Sequence, residues 1–153
     1  MFDLQQIVLT AAELEEQKTR QSSGFGGLGS TLRPSRGEPL LWLVSNPEAD
    51  PLISSVFLVN NTGESLDYVN FGSASTITID NDAYGGGTDN QRYDNVPHGA
   101  AVKIEQIDAV YDSDFSIYIY VQIKSALLGE RKFTHCIRRG KLKSKVLLWQ
   151  EAV

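Results

Sequence analysis

The chain has 153 residues, 41% of them hydrophobic, and a formal charge of −5. This suits one compact domain with an appendage. There is no apolar run of membrane-helix length and no basic leader ahead of an apolar stretch, so a cytoplasmic protein without a membrane span is expected. The single cysteine, Cys136, excludes an internal disulfide and a multi-cysteine zinc site.

The charge is segregated. Residues 1–37 carry four acids and four bases, residues 38–114 thirteen acids and two bases, and residues 115–153 two acids and eight bases. Strands from the two larger segments would complement each other across a ladder. Separate acidic and basic surfaces that steer partners are the other reading.

In chain order, residues 2–9 fit a strand or a helical turn. Thr10-Ala-Ala-Glu13 matches a capping box, with Leu9 and Leu14 placed as a hydrophobic staple. A short helix from about residue 11 to 20 is predicted, with too little apolar surface to stand unsupported. Four glycines in Ser22-Ser-Gly-Phe-Gly-Gly-Leu-Gly-Ser30 then exclude a regular element and read as a linker. The organisation expected is an N-terminal helical appendage with a Gly/Ser-rich linker over 1–37, and a β-domain over 38–153. Exchange of the N-terminal segment between two copies would give a homodimer.

From residue 38 the pattern is strand. Strands are predicted near 40–45, 52–60, 65–71, 75–80, 100–109, 115–124, 131–138 and 142–150. Turns fall at 61–64, 96–99, 112–114, 128–130 and 139–141, and a long polar loop spans 81–94. The clearest strand is Phe115-Ser-Ile-Tyr-Ile-Tyr-Val-Gln-Ile-Lys124. Phe115, Ile117, Ile119, Val121 and Ile123 share one face, and Tyr118, Tyr120, Gln122 and Lys124 the other. The fold class expected is all-β: an antiparallel two-sheet sandwich of about seven to eight strands with a short N-terminal helix.

Val56-Phe-Leu-Val-Asn-Asn-Thr-Gly-Glu-Ser-Leu-Asp-Tyr-Val69 is similar to the opening of many bacterial immunoglobulin-like domains. There a strand ends in Asn-x-Thr-Gly and the next carries Leu-x-x-Val. Asn95-Val-Pro-His-Gly-Ala-Ala-Val102 resembles the Pro-x-Gly turn before a later strand in those domains, which include the fibronectin-type-III-like ones. The resemblance implies a two-sheet sandwich over residues 52–124 and no catalytic residues.

Five residues are expected to bind a protein partner. Tyr118 and Tyr120 supply aromatic surface, and Lys141, Lys143 and Lys145 line one strand face. The lysines also fit a solvated edge strand. The acidic total, with no aromatics between 134 and 148, disfavours nucleic acid. Asp80, Asp82, Asp89 and Asp94 crowd one loop region and suggest Ca²⁺, although Tyr84 and Gln91 occupy positions where an EF-hand needs ligands. No other cofactor is indicated. His135 and Cys136 are sequence neighbours, so strand geometry turns them apart, His135 inward and Cys136 outward. An enzyme would have to combine Cys136 with His98. The function expected is a non-catalytic protein-interaction module of adaptor, inhibitor or immunity type. The alternative is a sandwich that binds carbohydrate, lipid headgroup or Ca²⁺ through the 80–94 loop.

Overall fold

The computed structural model describes residues 4–23, 38–79, 82–87, 91–108, 116–138 and 144–150. Among these residues it is an all-β sandwich of two antiparallel sheets with one helix. Strand β1 (Gln6–Val8) and helix α1 (Ala11–Ser23) precede β2 (Pro39–Pro47) and β3 (Ile53–Asn60). Then come β4 (Leu66–Ile79), β5 (Asp82–Gly87), β6 (Gln91–Val96) and β7 (Ala100–Asp108). The last three are β8 (Ser116–Ser125), β9 (Gly129–Arg138) and β10 (Ser144–Trp149). The first sheet has the order β1-β7-β3-β2-β10; the second runs β5-β4-β8-β9, with β6 also paired to β4.

The core lies between the sheets. β8 contributes Ile117, Ile119, Val121 and Ile123, all buried, and each is worth roughly 1.5–3 kcal/mol over leaving it in water. Leu41, Leu43, Val56, Leu58, Val102 and Ile104 face them from the first sheet. At the strand ends the buried side chain of Asn60 fixes the crossover between sheets. Its Nδ2 donates to the carbonyls of Glu64 and Val96, and its Oδ1 accepts from the Thr62 amide. Gly63 takes a φ of +86° in that turn, where a side chain would be strained.

The first sheet is apolar on both faces. Trp42, Val44, Phe57, Val59 and Ala101 form a second cluster on its outer side, covered by Ile7, Leu9, Leu14 and Val146. This explains where the thinly apolar helix finds support. The capping box forms as expected: the Glu13 amide donates to Thr10 Oγ1 at 3.1 Å, and the Thr10 amide to Glu13 Oε1 at 3.2 Å. Trp42 Nε1 donates to Gln17 Oε1 at 2.9 Å. The helix extends to residue 23, three residues beyond the expected end. β1 pairs with β7 of the same chain, so residues 4–23 lie on their own sandwich.

Two expectations are corrected. The segments 65–71 and 75–80 are one strand, β4, which passes through Gly72 because β8 pairs with it along residues 68–76. The polar stretch expected as a loop over 81–94 carries β5 and β6. Their ladders to β4 are backbone bonds, which do not need apolar side chains; on β6 only Tyr93 and Val96 are buried. With β1, these additions bring the strands among the described residues to ten. The Arg139-Gly-Lys141 turn lies outside the described residues. No helix among the described residues is long and apolar enough to cross a membrane.

Candidate functional site

Helix α1 contacts β2 and β10, on the first sheet. The outer face of the second sheet receives no such cover from it, and Tyr118 and Tyr120 stand exposed there, at 39% and 46%. One reading open from the sequence put these tyrosines beneath the helix. The helix instead follows the larger apolar surface, that of Trp42 and Phe57.

Antiparallel registers arrange this face in rows, four of which surround the tyrosines. Tyr68, Lys124 and Glu130 form the first, and Asn70, Gln122 and Lys132 the second. Gly72, Tyr120 and Thr134 form the third, and Ala74, Tyr118 and Cys136 the fourth. β6 extends the first row with Asp94 and the second with Arg92.

The first row is internally engaged. The Tyr68 hydroxyl donates to Glu130 at 3.1 Å, and Arg92 stacks over the Tyr68 ring with Cζ 4.5 Å from its centroid. Arg92 also pairs with Asp94 at 2.7 Å. Desolvation, followed by the hydrogen bond to Glu130, holds the Tyr68 phenol above its usual value.

The second and third rows enclose a groove of about 190 Å³. Gly72 leaves its floor without a side chain, Tyr120 forms a wall, and Asn70, Gln122, Lys132 and Thr134 surround it. Among the described residues, none of those four polar side chains makes a hydrogen bond or ion pair within the chain. The sequence pattern placed Tyr118 and Tyr120 correctly on the outer face. It did not find Gly72, which joins them only through the β4–β8 register.

The other expected residues lie elsewhere. Lys145 is on β10, at the edge of the first sheet, opposite Leu43. Lys141 and Lys143 lie outside the described residues, as do Asp80 and Asp89. Asp82 begins β5, in register with Ile79, and Asp94 is taken up by Arg92. The described residues contain no group of three or more His, Cys, Asp or Glu able to hold a metal ion.

His135 faces inward, opposite Ile119, and Cys136 outward, opposite Tyr118, as parity requires. Burial, and then the charge of Lys145, push the His135 pKa down. His98 accepts the Gly63 amide at Nδ1, 3.0 Å away, beside the Leu66 end of β4. Cys136 is level with Ala74. From Leu66 to Ala74 is a run of about 26 Å at ~3.3 Å per residue, so the two side chains do not meet. His98 lines a wider cleft of about 450 Å³ beneath α1. There Lys18 is paired with Glu15 at 3.0 Å and Glu38 at 3.3 Å.

No protein-family model, curated protein or solved structure matches the chain.

Proposed function

We propose that the protein is a non-catalytic interaction module that binds a protein partner through the outer face of its second sheet. One observation carries the reading: the chain covers the outer face of the first sheet with its own helix, yet leaves two tyrosines exposed at the middle of the other face. Aromatic side chains on a flat, rigid sheet are the usual anchors of protein interfaces, because they bury much area and lose little rotamer entropy. β4, β8 and β9 hold the face rigid, since each is paired over most of its length.

The immunoglobulin-like affiliation belongs to the same reading. The neighbours β2-β3-β7 and β4-β8-β9 follow the A-B-E and C-F-G orders of that fold, with β1 and β10 added at the margins of the first sheet. In such sandwiches the residues that act are carried by the individual face, not by the fold.

The test is affinity capture of partner protein with three forms: wild type, Tyr118→Ala/Tyr120→Ala, and Lys145→Ala. Wild type and Lys145→Ala are expected to capture the same protein, and the double variant to lose it. Capture that survives in the double variant sinks the proposed face.

A further inference from the structure

The groove beside Tyr120 narrows the chemistry of that partner, an inference that rests on the proposed function. Its volume of about 190 Å³ admits one ring-sized group. For comparison, a cavity of about 150 Å³ accepts benzene. The floor is the backbone at Gly72, and one wall is the Tyr120 ring, so a flat apolar group can lie against both.

The rim has a definite sign. Lys132 lines the groove, and Lys124 stands one row away. Neither makes an ion pair among the described residues, whereas Arg92 is neutralised by Asp94. The second, third and fourth rows hold no carboxylate among the described residues. The one carboxylate on β9, that of Glu130, accepts the Tyr68 hydroxyl. An incoming anion meets the Lys132 ammonium with no acid in its own row, whereas Lys124 stands opposite the Glu130 carboxylate. Asn70, Gln122 and Thr134 add unengaged donors to the same rim.

We infer that the partner presents an aromatic side chain flanked by carboxylates, with the ring seated over Gly72 against Tyr120 and the acids directed to Lys132. A chain rich in basic residues is excluded from this face by repulsion, which gives the surface selectivity as well as affinity.

The experiment is a backbone-amide NMR titration of the full chain with three capped pentapeptides. They are Glu-Asp-Phe-Asp-Glu, Lys-Ser-Phe-Ser-Lys and Glu-Asp-Ala-Asp-Glu. The first is expected to shift the amides of Gly72, Tyr120, Lys132 and Thr134, and to bind at least about fivefold tighter than the other two, as exposed ion pairs allow. Raising the salt to 0.5 M should remove most of the charge preference. Lys132→Glu should reverse the order of the acidic and basic peptides. Gly72→Val should abolish all three responses, and the exposed Lys132 change gives an independent reading if Gly72→Val fails to fold.

Equal binding of the acidic and basic peptides overturns the inference but leaves the proposed function standing. So does a response of these amides to an oligoglucuronate alone, or to protein concentration alone, which would assign the groove to a saccharide or a second copy. If no peptide moves these amides while partner capture still needs Tyr118 and Tyr120, the inference falls by itself. Should capture survive without the tyrosines, the proposed function falls with it.

Discussion

The hydroxyl of Tyr93, in the second sheet, donates a hydrogen bond to the carbonyl of Lys103, in the first, at 2.6 Å. The same hydroxyl accepts the amide of Gln5 at 2.9 Å, and the ring stacks on Phe71 with centroids 5.4 Å apart. One side chain therefore joins β6, β7 and the residue preceding β1. The geometry explains why a short N-terminal strand can hold its place at a sheet edge.

Tyr93→Phe keeps the stack and deletes the bridge. It leaves the Gln5 amide and the Lys103 carbonyl short of a partner, so a loss of roughly 1–3 kcal/mol is expected in urea unfolding. The slope should stay unchanged, because the surface exposed on unfolding is the same. Desolvation first raises the Tyr93 pKa above its ordinary value of 10.0. The folded chain thus holds this proton after the unfolded chain has released it. The contribution is complete below about pH 10 and is lost as pH rises through the folded value. An unchanged urea midpoint for Tyr93→Phe would remove the bridge from the account of stability.

Trp42 tests how firmly α1 is attached. Its ring is fully buried, and Gln17 supplies the acceptor for its N–H. Gln17→Ala leaves that donor unsatisfied beneath the helix and should cost about 1–3 kcal/mol, while Gln17→Glu keeps an acceptor and should cost less. The measurement is the urea midpoint of each variant. Equal midpoints for Gln17→Ala and wild type would mean that water reaches the indole.

His135 gives the fold an acid sensitivity. Its pKa lies below the ordinary 6.5 because of burial and then Lys145. Above that value both folded and unfolded chains are neutral at this residue, and it contributes nothing to the pH dependence. As pH falls below about 6.5 the unfolded chain protonates first, so stability declines until the folded value is passed. Lys145→Met removes the repelling charge, raises the His135 pKa and shrinks the decline. NMR titration of the imidazole, paired with melts at pH 7.5 and 5.5, checks both. A His135 titration that does not move in Lys145→Met would show that the two charges do not interact.

Much of this was legible in the sequence because it rests on local chemistry. The alternation around Tyr118 and Tyr120 defined both faces of β8, and Thr10 with Glu13 defined the start of α1. Leu40-Leu-Trp-Leu-Val44 and Val56-Phe-Leu-Val59 held a further signal. Continuous apolar runs mean strands buried on both faces, hence a sheet that needs a cover. That cover is α1 together with β1. β5 and β6 were not legible, since Asp, Asn and Gly read as loop and only the length of β4 gives them a partner. The groove over Gly72 was beyond sequence reach for a similar reason. It depends on which residue of β4 falls opposite Tyr120, and register between strands 48 residues apart is a tertiary property.

Cys136 offers a direct probe of the uncovered face. It is the one thiol in the chain, half-buried and opposite Tyr118 on the outer side of the second sheet. A bulky maleimide placed there stands beside both tyrosines without entering the core, so the thermal midpoint should move little, as for most surface changes. Partner capture should be lost in the labelled protein. The bound partner should in turn slow the labelling, because the contact that Tyr118 makes would cover the thiol. Cys136→Ser, carried through the same treatment, should capture normally and rules out damage elsewhere. Labelled protein that captures as well as unlabelled protein would move the interface away from this face.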